Sequence, residues 1–151
     1  MIRTILSVIV FSALLYACNN KCRSLQSDAG GAIVEMYNMG ECQIYSRIDS
    51  NIRISHDTQW SNFQAKHFQF CNKAALKGID FNKHDLLGLK VNVSACNVAM
   101  HRRLDIDTAA KTYTYSVRAE LCQGCGTQLE SMNFALVPKL PAGYTLLFKK
   151  L

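Results

Sequence analysis

The chain has 151 residues, seven cysteines and a formal charge of +6, one domain's worth of sequence with enough apolar residues for a proper core. Its basic residues are scattered as Lys21/Arg23, Lys73/Lys77, Arg102/Arg103 and Lys149/Lys150, with no aromatic-interleaved basic cluster, which argues against nucleic acid as a partner. The positive balance reads instead as a solvated surface beside anionic lipid.

The first element is an apolar run. After Arg3, residues Ile5 to Tyr16 are interrupted only by Ser7 and Ser12, the pattern of a secretory signal core. A spanning helix needs roughly 18 or more apolar residues, and this run stops before Asn19, Asn20, Lys21 and Arg23. Ordinary signal cleavage wants small residues at both key sites, and Leu15 with Ala17 meets that rule poorly. Leu15-Tyr16-Ala17-Cys18 instead resembles the lipobox of bacterial lipoproteins. The resemblance implies that residues 1–17 are a signal peptide cut before Cys18, whose thiol carries a diacylglycerol and whose amine is acylated, as by palmitate. Each buried methylene contributes ~0.8 kcal/mol, so several acyl chains hold a protein on a bilayer permanently. No acidic residue follows Cys18 before Asp28, which in this resemblance implies a periplasm-facing anchor in the cell envelope, with the outer membrane as the expected host.

Removing 17 of the 151 residues leaves 134, and setting Cys18 aside leaves six cysteines: Cys22, Cys42, Cys71, Cys96, Cys122 and Cys125. An even remainder in an exported chain reads as disulfides, and six cysteines leave 15 connectivities open.

Residues 18–31 form the lipidated cysteine and a polar, Gly-terminated tether, and residues 32–151 form a single domain. Ile33 to Tyr37 and Cys42 to Ile48 read as strands around the Asn38-Met39-Gly40 turn, and Ile52 and Ile54 extend that pattern. Ser55 to Lys66 predicts a helix capped by Ser55 or Asp57, with Trp60, Phe63 and His67 on one face. Phe68 to Lys77 is open between a helix end and a loop. Asp85 to Val93 predicts a strand with Leu87, Leu89, Val91 and Val93 on its inward face, and Asp80 and Asp85 are expected to cap or solvate the turn before it.

The next two strands form a hairpin around the loop Asp107 to Lys111. Pairing Ile106 with Tyr113 also pairs Leu104 with Tyr115 and Val98 with Leu121, which puts every apolar residue on one face. Continued, the register sets Cys96 opposite Gln123 and brings it near Cys122 and Cys125, and a bridge to one of these two is expected. Leu129 to Val137 and Tyr144 to Lys149 are further strands, joined by the Pro138 to Gly143 turn. The predicted fold class is α+β, a mostly antiparallel sheet stapled by disulfides under one main covering helix.

Ile79 to Gly88, the cysteine-flanked hairpin and Val137-Pro138-Lys139-Leu140-Pro141-Ala142-Gly143-Tyr144 together resemble small Bacteroidetes-type lipoproteins, over roughly residues 52 to 150. Such families are not known for a defined enzymatic activity. The helix followed by Asp-Phe and a strand is also similar to the C-terminal domain of PrcB-type protease-complex subunits. Asp107-Thr108-Ala109 matches the Asp-Ser/Thr-small-apolar pattern that Bacteroidetes-type exported proteins use for O-glycosylation, in a loop where Thr108 is expected to be exposed.

Cys122-Gln123-Gly124-Cys125 is the sharpest local motif. A redox reading would make Cys122 an attacking thiolate, but the motif ends a strand, with no helix N-terminus to activate it. Structural disulfides are favoured. His56, His67, His84 and His101 show no metal-ligand spacing, and no second Cys/His pair completes a zinc site; no cofactor fingerprint appears. Asp105 and Asp107 share a strand face and read as solvated. The expected function is a membrane-anchored, non-enzymatic binding or accessory module with an envelope protein as partner. A periplasmic thiol–disulfide enzyme and a protease-regulating domain are the alternatives.

Overall fold

In the computed structural model, residues 27–43, 48, 51–95, 97–123 and 127–151 are described. Strand β1 spans Asp28–Gly31, β2 Glu35–Met36 and β3 Ile52–Ile54; helix α1 spans Asp57–His67. Four long strands follow, β4 His84–Ser94, β5 Asn97–Asp107, β6 Thr112–Gln123 and β7 Gln128–Pro138, and β8 Thr145–Lys150 comes last. The α+β class holds: the strands pair mostly antiparallel, and α1 covers them.

The strands form two four-stranded sheets, ordered β1-β5-β6-β8 and β2-β7-β4-β3, where the sequence pattern suggests one. The reason lies in β4 and β7, which are apolar on both faces, as centrally buried strands are. Leu87, Leu89 and Val91 of β4 and Ala135 and Val137 of β7 pack against Met100, Leu104, Tyr113, Tyr115 and Val117 of the first sheet. The opposite faces give Leu86, Met132 and Phe134 to a second core beneath α1, with Tyr37, Met39, Ile54 and Phe68. Tyr115 ties the layers together by donating its hydroxyl to the Asn133 carbonyl at 3.1 Å. Gly88 lies on the helix-facing side of β4, where a Cβ would meet Met132 and Phe134 side-chain carbons at 2.8 Å.

The β5–β6 hairpin keeps the expected register, with Ile106 opposite Tyr113, Leu104 opposite Tyr115 and Val98 opposite Leu121. It shifts at the last rung. Asn97, not Cys96, stands opposite Gln123, so β6 carries one extra residue there, Cys122, as a β-bulge does. β8 runs parallel to β6 and β1 parallel to β5. The direction of β8 follows from the chain path: the segment after β7 crosses to the first sheet at the end where β6 begins.

Three local expectations change. The tether ends sooner, because Asp28–Gly31 is already a strand of the first sheet. Gly31 makes this possible: it has a φ of +69°, and a Cβ there would come within 2.2 Å of the Leu104 carbonyl oxygen. The strand expected over Ile33 to Tyr37 shrinks to β2, and Gly40–Gln43 is a 3₁₀ turn, which bends away because Asn38 accepts from the Gly40 amide and Gly40 takes a φ of +52°. The cap of α1 is His56, whose Nδ1 accepts from the Gln59 amide at 3.3 Å, while Ser55 bonds the Gln59 side chain instead. The aromatic stripe is as expected. Trp60 stacks on Phe63 (5.7 Å between ring centroids), Phe63 meets His67 at 4.8 Å, and Phe63 rests on Phe134 at 6.2 Å. After α1, Phe68 is fully buried and Cys71 is bonded to Cys42 across a sequence separation of 29.

Candidate functional site

The outer face of the first sheet carries a shallow depression of about 250 Å³, built from Asp28 and Gly30 on β1, His101 and Arg103 on β5, and Ser116 and Arg118 on β6, with Leu151 at its edge. Strand alternation puts these side chains here: Leu104 and Val117 turn into the core, so Arg103, Ser116 and Arg118 turn out. His101 is the hub. Its Nδ1 lies 2.9 Å from Asp28 and its Nε2 3.0 Å from Glu120, so one imidazole joins β1, β5 and β6 through one carboxylate on each side. Arg103 donates to Asp105 at 2.7 Å, and Arg118 lies 3.8 Å from Glu120. Ser116 is buried at the floor and donates to the Arg103 carbonyl at 3.4 Å. Gly30 leaves the space above its Cα open.

This arrangement suits recognition. Both ring nitrogens of His101 are engaged, and the Ser116 hydroxyl points to a backbone carbonyl, so neither is set up as a base and nucleophile pair. The exposed arginines and carboxylates alternate in sign, the pattern that gives a surface partner choice and register.

Arg102, on the inner side of β5, reaches the edge of the second sheet, where its Nη1 lies 3.0 Å from the Met36 sulfur, and it also donates to the Met100 carbonyl of its own strand at 3.3 Å. Burial lowers the pKa of this guanidinium, and the nearby Tyr115 and Asp28 offset that in part.

A second charged cluster was not legible in sequence. Asp85, expected to cap or solvate a turn, is fully buried. Arg53 of β3 grips its Oδ2 with Nε at 3.0 Å and Nη2 at 2.8 Å, and the Leu140 amide donates to the same oxygen at 3.3 Å. Lys139 Nζ stands 3.1 Å from Oδ1 as an ion partner without hydrogen-bond alignment, and donates to the Phe81 and Ser55 carbonyls. The one local signal is that Asp85 opens Leu86-Leu87-Gly88-Leu89, a run apolar on both faces; nothing near it in sequence names its partners. Asp80, in contrast, does cap the turn, accepting from the Asn82 amide at 3.1 Å. That bond, with Lys83 beside it, holds the Asp80 carboxyl below its ordinary value.

Of the expected site residues, Cys42 and Cys71 are joined to each other. Cys122 falls one residue from the end of β6. Cys18, Cys22, Cys96 and Cys125 lie outside the described residues, and with them the expected bridge from Cys96 and the Cys122–Cys125 redox motif. Thr108 is exposed in the four-residue turn between β5 and β6, where Asp107 accepts from the Ala110 amide at 2.8 Å. Asp105 and Asp107 are both exposed and turned to different partners, Arg103 and the turn amide. Among the described residues, no helix is long and apolar enough to cross a membrane.

Compared with family models, curated proteins and solved structures, the chain matches none. The fold and the depression define a class only: a two-sheet mixed sandwich with a helix-covered back, a disulfide in the covering layer and a charged outer face.

Proposed function

We propose that this chain is a membrane-anchored accessory protein of the bacterial cell envelope, a non-enzymatic binding module that recruits a second envelope protein. The observation that carries the binding role is the charged outer face around His101, where carboxylates and guanidiniums on three strands frame an open depression. The anchor is supported by Leu15-Tyr16-Ala17-Cys18 after the apolar run. The Cys42–Cys71 disulfide agrees with export to an oxidising compartment. Thr108 is exposed for the O-glycan that its flanking Asp107 and Ala109 suggest.

Crosslinking in intact envelopes followed by affinity isolation tests the reading. One partner is expected to be recovered reproducibly, and an Arg103→Glu/Arg118→Glu variant should lose it by about tenfold or more, since reversed charge at a complementary surface is repulsive. Recovery of no reproducible partner, or equal recovery with both arginines reversed, refutes the binding role. Cys18→Ala should release the protein from membranes with its fold intact; retained attachment refutes the anchor.

A further inference from the structure

A sheet edge offers unpaired backbone groups to another strand unless it is short, bent or covered. Among the described residues the two sheets end in four edge strands, β1, β8, β2 and β3. β1, β2 and β3 are four, two and three residues long, and β1 closes at Gly31 in its left-handed conformation. β8 differs. It runs for six residues without glycine, proline or a shift of register, and it pairs with β6 alone. The Thr145 and Leu151 amides donate to the Lys111 and Val117 carbonyls on the β6 side. Odd-numbered residues of β8 therefore turn their backbone groups to β6, and Leu146, Phe148 and Lys150 turn theirs to the open side.

The side chains alternate across the sheet in the same way. Leu146 and Phe148 turn inward, half-buried against the first core, where the Phe148 ring meets Tyr115 at 6.2 Å. Leu147 turns outward and is 49% exposed, between the exposed Thr145 and Lys149. Lys149 and Lys150 have no acidic partner among the described residues, and residues 131–151 contain no Asp or Glu.

We propose that the free edge of β8 receives an extended segment of a partner protein as an added antiparallel strand. That segment sets acidic residues against Lys149 and Lys150 and apolar residues against Leu146, Leu147 and Phe148. Main-chain bonds to Leu146, Phe148 and Lys150 give affinity, and the alternating side chains give selection. Charge decides the occupant. A second copy would bring two more lysines to the same seam, and edge lysines are a usual guard against such self-pairing. An acidic strand turns that guard into attraction, because opposite charges across a strand pair stabilise it and like charges destabilise it. The edge spans about 20 Å, the length of an ordinary strand. β6 separates it from His101, so this surface and the charged face stand or fall separately.

The test is amide exchange in the full chain, held in detergent micelles, with acetyl-Glu-Glu-Val-Ile-Val-Thr-amide as the added strand. Antiparallel, its residues lie opposite Lys150 back to Thr145. In free protein the Leu147 and Lys149 amides should exchange slowly and those of Leu146 and Phe148 fast. Peptide at about millimolar concentration should slow Leu146 and Phe148 about fivefold, the factor reached at a few times the dissociation constant, and leave Leu147 and Lys149 unchanged. N-methylation of the first valine, which would face Phe148, should abolish the effect. Lys149→Glu/Lys150→Glu should abolish it too and accept the Lys-Lys version of the peptide instead, with unchanged exchange in the β5–β6 hairpin showing that the variant is folded. No slowing, equal slowing by the N-methylated peptide, or equal slowing in the charge-reversed variant overturns the proposal. Slow exchange at Leu146 and Phe148 before peptide is added also overturns it: if dilution speeds that exchange a second copy holds the edge, and if dilution has no effect another part of this chain does.

Discussion

Arg53 holds the fully buried carboxylate of Asp85 with two nitrogens, at 3.0 and 2.8 Å, and so ties the short edge strand β3 to the start of β4. Lys139 approaches the other oxygen and carries the segment after β7 into the same knot. One carboxylate thereby joins three segments far apart in sequence.

Asp85→Asn should therefore cost about 2–4 kcal/mol. Removing one partner of a buried ion cluster costs about 3–5 kcal/mol when the remaining charge is sealed, and Arg53 and Lys139 are partly open to water. Urea unfolding checks it. A loss under about 0.5 kcal/mol would mean that the cluster is no more than a surface pair.

Joining residues 29 apart, the Cys42–Cys71 bridge fastens the 3₁₀ turn to the segment after α1. On the chain-entropy account, a loop of this size is stabilised by about 3–4 kcal/mol. Cys42→Ser/Cys71→Ser should lose roughly that amount and loosen the layer that carries Trp60 and Phe68 before it loosens the β5–β6 hairpin. Tryptophan fluorescence, compared with hydrogen exchange in β5 and β6, separates the two events.

At Gly31 both backbone conformation and space demand glycine. Gly31→Ala should cost at least about 1–2 kcal/mol from the left-handed conformation alone, and the approach to the Leu104 carbonyl makes the strand peel rather than adjust. Hydrogen exchange would show this as lost protection at Ala32, whose amide donates to the Leu104 carbonyl at 2.9 Å, with β6 unaffected. Unchanged protection at Ala32 would count against the role given to Gly31.

Alkaline pH probes both cores. Burial pushes the Tyr37 hydroxyl up to about 12, helped by Glu35, and burial also raises that of Tyr115. An unfolded tyrosine ionises near about pH 10, so above that the unfolded chain has lost protons that the native chain keeps. Stability from these groups is complete below about pH 10 and falls as pH rises towards about 12. Tyr37→Phe should flatten part of that decline, at some cost from losing the bond to the Lys77 carbonyl. Ionisation of both tyrosines at about pH 10 in folded protein, seen by tyrosinate absorbance, would contradict the burial argument.

The sequence by itself determined what depends on near neighbours. The β5–β6 register follows from alternation about one short turn, since a slip of one residue would turn Leu104 and Tyr115 to solvent. The Trp60–Phe63–His67 stripe follows from helical spacing, and the solvated site of Asp105 from strand parity. Tertiary structure decided what depends on partners distant in the chain. An apolar run such as Leu86 to Leu89 says that a strand is buried on both faces, but not that a second sheet covers one and a helix the other. Cys42 had no local reason to choose Cys71 among the other cysteines. Asp85 reads as a turn residue until Arg53 and Lys139, 32 and 54 positions away in sequence, arrive to hold its charge. The His101 site has the same cause: its two carboxylates come from a neighbouring hairpin strand and from an N-terminal strand that only the folded chain brings alongside.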